Sequence, residues 1–147
     1  MQDGAGLAGY DIEAQVGFML RRAHQRHAAV FLEGMQGIEL TPTQFNALVR
    51  VTELGSVTQN QLGRLTAMDP ATVQGVVRRL VARGLVARRA DPGDRRAMVL
   101  TATEDGVTLG RVAVERGREV TEATLAPLSA AERRRFLELL GRIVWWR

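Results

Sequence analysis

A chain of 147 residues, 46% hydrophobic and 24% charged, has the size of one globular domain, or of one small domain carrying an oligomerisation segment. It contains no cysteine, which excludes a disulfide framework and a thiol-based redox sensor. No apolar run approaches the roughly 18 residues that a membrane helix needs, and no basic patch followed by an apolar stretch begins the chain. We therefore expect a cytoplasmic protein without a secretory signal.

Positive charge is concentrated in the middle of the chain, whose overall net charge is +4. Residues 1–40 hold three Arg and five acids, and residues 101–147 hold eight Arg and seven acids. Residues 41–100 hold nine Arg and four acids, a balance of +5. Phosphate binding requires a basic patch of this kind, although many basic surfaces are only solvated.

The first predicted helix covers residues 11–35 and carries apolar side chains at spacings of three and four. Its apolar stripe consists of Ile12, Val16, Met19, Leu20, Ala23, Val30 and Phe31. A helix of this length near a terminus carries an apolar stripe that is too wide for a small neighbouring element to cover. We expect it to pack against the C-terminal helix and against a second copy of the chain.

Capping patterns mark the starts of the other helices. Ser or Thr followed three residues later by Glu or Gln satisfies two backbone donors that would otherwise have no partner. This pattern begins at Thr41, Thr58, Thr101 and Ser129, and Asp69-Pro70 provides a further cap. The predicted helices cover residues 42–54, 58–66, 70–83, 102–125 and 129–146, which makes six with the first.

Two runs with β propensity, 85–89 and 96–100, follow the helix at 70–83, and the Pro, Gly and Asp between them favour a hairpin turn. Two short helices joined by a tight turn and followed by a β-hairpin have the order of a winged helix-turn-helix. The predicted fold is mainly α: a winged helix-turn-helix with long N- and C-terminal dimerisation helices and one β-hairpin wing. The predicted segments are an N-terminal dimerisation helix at 1–40, a DNA-binding lobe at 41–101, and linker and dimerisation helices at 102–147.

The helix at 70–83 has the pattern of a recognition helix. Val73, Val76, Val77, Leu80 and Val81 form a stripe that must face the core, and the opposite face carries Ala71, Thr72, Gln74, Gly75, Arg78 and Arg79. Small residues near its start let the helix enter a major groove closely. Thr72 and Gln74 can donate and accept at base edges, and Arg78 suits guanine or phosphate. The alternative is the ordinary exposed face of a core helix.

The hairpin tip supplies a second set of candidate DNA contacts, Asp94, Arg95 and Arg96. On an extended arm, side chains two residues apart share a face, so that Asp94 could hold Arg96 ready to enter a minor groove. A narrow minor groove concentrates negative potential and attracts arginine. The alternative is a surface ion pair contributing less than about 1 kcal/mol.

From Leu62 to Gly106 the sequence resembles the MarR family of bacterial regulators, named for multiple antibiotic resistance. The matching residues are Leu62-Gly63-Arg64-Leu65, Thr72-Val73, Val77, Leu80, Gly84-Leu85-Val86, Arg88, Asp91-Pro92-Gly93-Asp94-Arg95-Arg96, Leu100-Thr101 and Gly106. The wing motif with its following Leu-Thr and Gly is fairly specific to that family. The long helices on either side extend the similarity to nearly the whole chain.

This resemblance implies an obligate homodimer whose N- and C-terminal helices form the interface. It also implies recognition helices in successive major grooves of a pseudo-palindromic operator on double-stranded DNA, with Arg96 of each wing in a flanking minor groove and Asp94 as its orienting partner. Members usually repress a nearby gene and are released by small anionic compounds, often aromatic. The stretch from Gln15 to Ala23 is similar to regulators of aromatic acid breakdown, including hydroxylated nicotinate pathways.

Ligands of the family generally lie between the dimer helices and the winged lobe, which implies a cleft lined by the first, second and fifth helices. We expect Arg22, His24 or His27 to pair with an aromatic carboxylate there. Phe18 or Phe31 would pack on its ring. The alternative is that both phenylalanines belong to the dimer core and the arginines are solvated.

His24 and His27 lie one turn apart and could share a metal ion, as a few family members bind zinc. No cysteine is available, and no motif places a carboxylate with them. We therefore expect packed or hydrogen-bonded histidines, with no metal site and no cofactor.

Three other functions compete with a ligand-released repressor. An enzyme is not expected, because the chain lacks a nucleotide loop, a Ser/His/Asp pattern and a metal-ligand motif. A global or architectural DNA-binding regulator without a small-molecule ligand would share every DNA-binding feature. A protein-interaction module could use the winged fold without DNA, but the basic middle segment and the wing arginines count against it.

Overall fold

The computed structural model describes residues 9–147, so the first eight residues of the predicted segment 1–40 lie outside the described part. That part contains six helices and three short strands, which confirms the mainly α winged-helix prediction. In chain order they are α1 (Val16–Gly34), α2 (Pro42–Leu54), β1 (Val57–Thr58), α3 (Gln59–Leu65), α4 (Pro70–Ala82), β2 (Val86–Ala90), β3 (Met98–Ala102), α5 (Glu104–Thr124) and α6 (Ala130–Val144). Within residues 9–147, no helix is both long and apolar enough to cross a membrane.

Most helix starts follow the predicted caps. Thr41 and Ser129 form complete capping boxes, in which the hydroxyl accepts from the backbone N–H three residues on and that residue's side chain accepts in return. Thr58 accepts from the backbone N–H of Gln61 at 3.2 Å. The prediction at Thr101 was wrong, because that residue lies in β3 opposite Ala87. Helix α5 instead begins after Thr103, whose hydroxyl accepts from the backbone N–H of Gly106 at 3.0 Å.

The predicted start of the first helix near Asp11 was also wrong. Helix α1 begins at Val16, and a turn precedes it in which the Asp11 carboxylate accepts from the backbone N–H of Glu13 at 3.0 Å. A side chain that competes for nearby backbone donors favours a turn over a helix. Ile12 therefore lies outside the helical apolar stripe.

A three-stranded antiparallel sheet in the order β1-β3-β2 joins the wing to the helices. The wing strands β2 and β3 are paired from Val86 opposite Ala102 to Ala90 opposite Met98, so they begin one to two residues later than predicted. Strand β1 was not predicted, because two residues cannot show a period. It is held through tertiary pairing, with Val57 opposite Leu100.

The core joins the helices of the lobe to the sheet: Leu48, Leu62 and Leu80 of α2, α3 and α4 and Leu100 of β3 are fully buried. The stripe of α4 faces this core as predicted, except that Val81 is 37% exposed and lies at its edge. Helix α6, by contrast, has no buried residue. Its apolar side chains are thus available for a surface outside the protomer.

Candidate DNA interface and ligand cavity

The start of α4 is fixed by Asp69 and Pro70 after a tight turn. The Asp69 carboxylate accepts from the backbone N–H of Thr72 at 2.8 Å and from its hydroxyl at 2.9 Å. These two bonds, the backbone bond first, hold the pKa of Asp69 below its usual value. The hydroxyl proton of Thr72 is thereby committed to Asp69. At a base edge Thr72 can therefore only accept a hydrogen bond, whereas the sequence allowed it to donate as well.

On the face of α4 opposite the core, three long polar side chains make no polar contact with the described part of the chain. Gln74, Arg78 and Arg79 are exposed, and within residues 9–147 their side chains enter no hydrogen bond or ion pair. Ala71 is exposed as well, and a Cβ built on Gly75 would meet no heavy atom within 4 Å. The backbone of α4 at Ala71 and Gly75 is thus little covered by side chains. It is flanked by side chains that can reach base edges and phosphates.

The tip of the wing is a pair of aspartate-stabilised turns and not the extended arm that we expected. Asp91 accepts from the backbone N–H of Gly93, and Asp94 accepts from the backbone N–H of Arg96, both at 3.0 Å. Asp94 therefore fixes the main chain of Arg96 and does not pair with its guanidinium. The side chains of Arg95 and Arg96 are exposed.

Two further arginines are exposed on the wing. Arg88 and Arg89 on the edge strand β2 are both exposed. As neighbouring residues of a strand, they point to opposite faces of the sheet. Their position in a basic run with β propensity pointed to them, but neither was among the predicted site residues.

A cavity of about 610 Å³ lies between α1, α2 and α5, where the family resemblance implied a ligand cleft. His27 and Phe31 line it from α1, and the Phe31 ring meets the Phe45 ring edge-on at 5.6 Å. Asn46 and Arg118 add polar groups to its wall. Phe45, Asn46 and Arg118 were missed from the sequence, because no spacing places α2 and α5 against α1. A volume of this size suits a small organic ligand.

The hydrogen bonds of His27 determine what its ring offers to this cavity. The Thr124 hydroxyl donates to the carbonyl of Val120 at 2.8 Å, and its oxygen lies 2.9 Å from Nδ1 of His27. With that hydroxyl proton directed to Val120, Nδ1 carries the hydrogen that joins the pair. In a neutral imidazole, Nε2 is then left without a hydrogen and can accept a hydrogen bond from a ligand.

A second cavity of about 360 Å³ lies between α1, α5 and α6, and His24 and His27 both line it. The five predicted ligand residues are therefore divided: His27 and Phe31 line the larger cavity, and His24 lines only the smaller one. Phe18 and Arg22 line neither cavity. Within residues 9–147, no group of three or more His, Cys, Asp or Glu side chains lies close enough to hold a metal ion.

A helix-turn-helix whose second helix keeps a polar, basic face free, followed by a basic wing, defines the winged helix-turn-helix class of DNA-binding proteins. Comparison with known proteins narrows this class. A model of the MarR family matches residues 38–97. The transcriptional repressor NicR of Pseudomonas putida is 39% identical over 92% of this chain and 85% of its own length. This chain belongs to the MarR family and is a transcriptional regulator, not an enzyme.

Two solved structures are similar over almost the whole chain. A probable transcriptional regulator from Pseudomonas aeruginosa is 47% identical, with a TM-score of 0.87 over 90% of this chain and 99% of that one. BpsR of Bordetella bronchiseptica is 38% identical, with a TM-score of 0.88 over 94% of this chain and 99% of that one. The BpsR structure concerns the regulation of its DNA binding by 6-hydroxynicotinic acid.

Proposed function

We propose that this protein is a homodimeric transcriptional repressor that binds a pseudo-palindromic operator and is released by a small hydroxylated aromatic carboxylate. The observation that carries the proposal is the uncommitted polar face of α4 beside a basic wing, in a chain that also holds a cavity of about 610 Å³. The relationship to NicR supports the repressor function, and the relationship to BpsR supports the ligand class.

In the DNA complex, α4 enters the major groove. Gln74 and Arg78 read base edges, Thr72 accepts at a base edge, and Arg79 contacts phosphate. Arg95 and Arg96 of the wing reach the flanking minor groove, where negative potential is high. Asp94 contributes by fixing the turn that presents Arg96. A symmetric dimer then selects half-sites whose centres are roughly 10 bp apart.

The dimer is supported by apolar surface that the protomer leaves uncovered. On α1, Val16 and Met19 are exposed, and at the end of the chain Trp145 and Trp146 are 80% and 86% exposed. Since α6 has no buried residue, most of its apolar face is left uncovered within the described protomer. We therefore assign the interface to the described part of segment 1–40 and to segment 102–147, and DNA binding to segment 41–101. As a DNA-binding regulator, the protein would act in the cytoplasm.

In the ligand cavity, an aromatic ring packs on the Phe31–Phe45 pair, and the carboxylate pairs with Arg118, whose exposed guanidinium also bonds to Glu115. Nε2 of His27 accepts a hydrogen bond from a ring hydroxyl. This assignment explains a preference for hydroxylated acids, because a ligand without the hydroxyl leaves the imidazole nitrogen unpaired.

The test begins with selection of tight binders from random duplexes at near-physiological salt, followed by release with 6-hydroxynicotinate and with nicotinate. We expect a pseudo-palindromic motif and release at lower concentration of the hydroxylated acid. His27→Ala should raise the concentration needed for release at least tenfold, while the matched control His24→Ala, which lines only the smaller cavity, should not. Salt-sensitive binding without a motif would favour an architectural protein, and a motif without release would favour a regulator that takes no aromatic acid.

A further inference from the structure

The C-terminal end of the recognition helix α4 contacts both chain segments that connect the DNA-binding lobe to the long helices. One segment is the loop 35–41 between α1 and α2, and the other is the turn from β3 into α5 at Thr103. Residues 83–85 follow α4 directly, with Arg83 as its C-cap residue and Gly84 at φ +71°. This short segment contacts both connections.

Arg83 makes the contact with the loop 35–41. Its guanidinium donates to the carbonyl of Glu39 at 2.9 Å and to the carbonyl of Ile38 at 3.0 Å. The loop is tightly wound, since Gly37 and Glu39 both have positive φ values, which a residue with a side chain adopts rarely. The two bonds to Arg83 thus hold a loop whose conformation is not set by local preference.

The turn into α5 is held by the next two residues. The carbonyl of Gly84 accepts from the Thr103 hydroxyl at 2.6 Å, and the carbonyl of Leu85 accepts from the Thr103 backbone N–H at 3.1 Å. Gly106 lies so close that a Cβ there would overlap the Leu85 carbonyl oxygen. Helix α5 is therefore fixed rigidly to the end of the recognition helix.

The same loop is tied to the ligand cavity on its other side. Arg116 of α5 donates to the carbonyls of Gly34 and Gln36, at 3.2 and 2.7 Å. Helix α1, which carries His27 and Phe31 into the cavity, ends at Gly34, and Val120 of α5 lies against that glycine. A change in the separation of α1 and α5 at the cavity would therefore strain or shift this loop. Arg83 is the contact through which such a movement of the loop would reach α4.

We propose that Arg83 is a positioning residue, which sets the orientation of α4 through the carbonyls of Ile38 and Glu39 and transmits occupancy of the cavity to the recognition helix. The transmission step depends on the proposed ligand function, whereas the orientation step does not. Two readouts separate them. The ratio of specific to non-specific DNA affinity needs no ligand. The coupling factor, which is the ratio of operator Kd with and without 6-hydroxynicotinate, requires one.

The experiment compares full-length wild type with Arg83→Met, Arg83→Lys and a control, Arg50→Met, whose exposed guanidinium bonds only to Glu53. Arg83→Met should lower the specific-to-non-specific ratio at least fivefold and bring the coupling factor within about twofold of one. Its Kd for 6-hydroxynicotinate without DNA should stay within twofold of wild type. Lysine reaches one carbonyl instead of two and should give intermediate values, while Arg50→Met should match wild type.

An arginine that only contacts phosphate would lower specific and non-specific affinity together, and an arginine that only stabilises the fold would lower the melting temperature with both ratios unchanged. Either result overturns the proposal. If wild type itself does not respond to 6-hydroxynicotinate, the ligand assignment fails, and the specific-to-non-specific ratio alone then decides whether Arg83 orients α4.

Discussion

Replacing Gly75 by alanine should stabilise the protein and weaken its binding to the operator. Glycine within a helix is about 0.8–1.0 kcal/mol less favourable than alanine, because it loses more backbone freedom on folding. At Gly75 nothing offsets this gain, since the added Cβ would meet no heavy atom within 4 Å. We therefore expect about 1 kcal/mol per protomer, or a rise in melting temperature of about 2–4 °C for a chain of this size.

The effect on DNA has the opposite sign. Ala71, Gly75 and Arg78 follow one another at helical spacing on the face that points away from the core. In the proposed complex the added methyl group would therefore lie between the backbone of α4 and the bases. We expect operator Kd to rise about tenfold, which corresponds to about 1.4 kcal/mol. Calorimetry measures the first effect, and fluorescence anisotropy with operator and with random duplex measures the second.

A second glycine provides the control. Gly17 of α1 is equally open and lies outside the predicted DNA-binding face, so Gly17→Ala should leave operator affinity unchanged. Unchanged operator affinity of a stabilised Gly75→Ala variant would refute the close approach of α4 to the bases. A lower melting temperature would mean that another part of the assembled protein occupies the space beside Gly75.

Three further predictions follow from single contacts. Gly106→Ala should destabilise the protein by about 2 kcal/mol or more in chemical denaturation, because the Cβ would overlap the Leu85 carbonyl oxygen. A melting temperature equal to that of wild type would contradict the packing of α5 on that carbonyl. The bonds from Thr72 lower the pKa of Asp69, so the stabilisation is present above its ordinary value of 3.8 and is lost as the pH falls through the lower folded-state pKa. Thermal melts at a series of acidic pH values should therefore show a smaller loss on acidification for Asp69→Asn than for wild type, and parallel curves would count against this role. Arg96→Ala should weaken operator binding by about 1 kcal/mol or more and leave the dimer intact in sedimentation, whereas undiminished affinity would place the wing outside the minor groove.

The sequence determined the features that depend on residues close together in the chain. The caps at Thr41, Asp69 and Ser129 each join atoms three residues apart, so their spacing can be read directly. The apolar stripe of α4 repeats with the helical period for the same reason. These local signals located the six helices of residues 9–147, the hairpin and the candidate base-reading face. They failed at Asp11, where a turn replaces the predicted helix start, and at Thr101, where strand pairing prevailed over a capping pattern.

Tertiary structure decided the features that join distant residues, because no period in the sequence records such contacts. Strand β1 exists only through its pairing with β3. His27 meets Thr124 across 97 residues, and that bond determines which ring nitrogen is left for a ligand. Arg83 reaches Ile38 across 45 residues, and the cavity beside Phe31 is closed by side chains of α2 and α5. Local hydrogen bonds and apolar spacing therefore specified the DNA-reading elements, whereas the ligand cavity and its connection to α4 depend on how the helices pack.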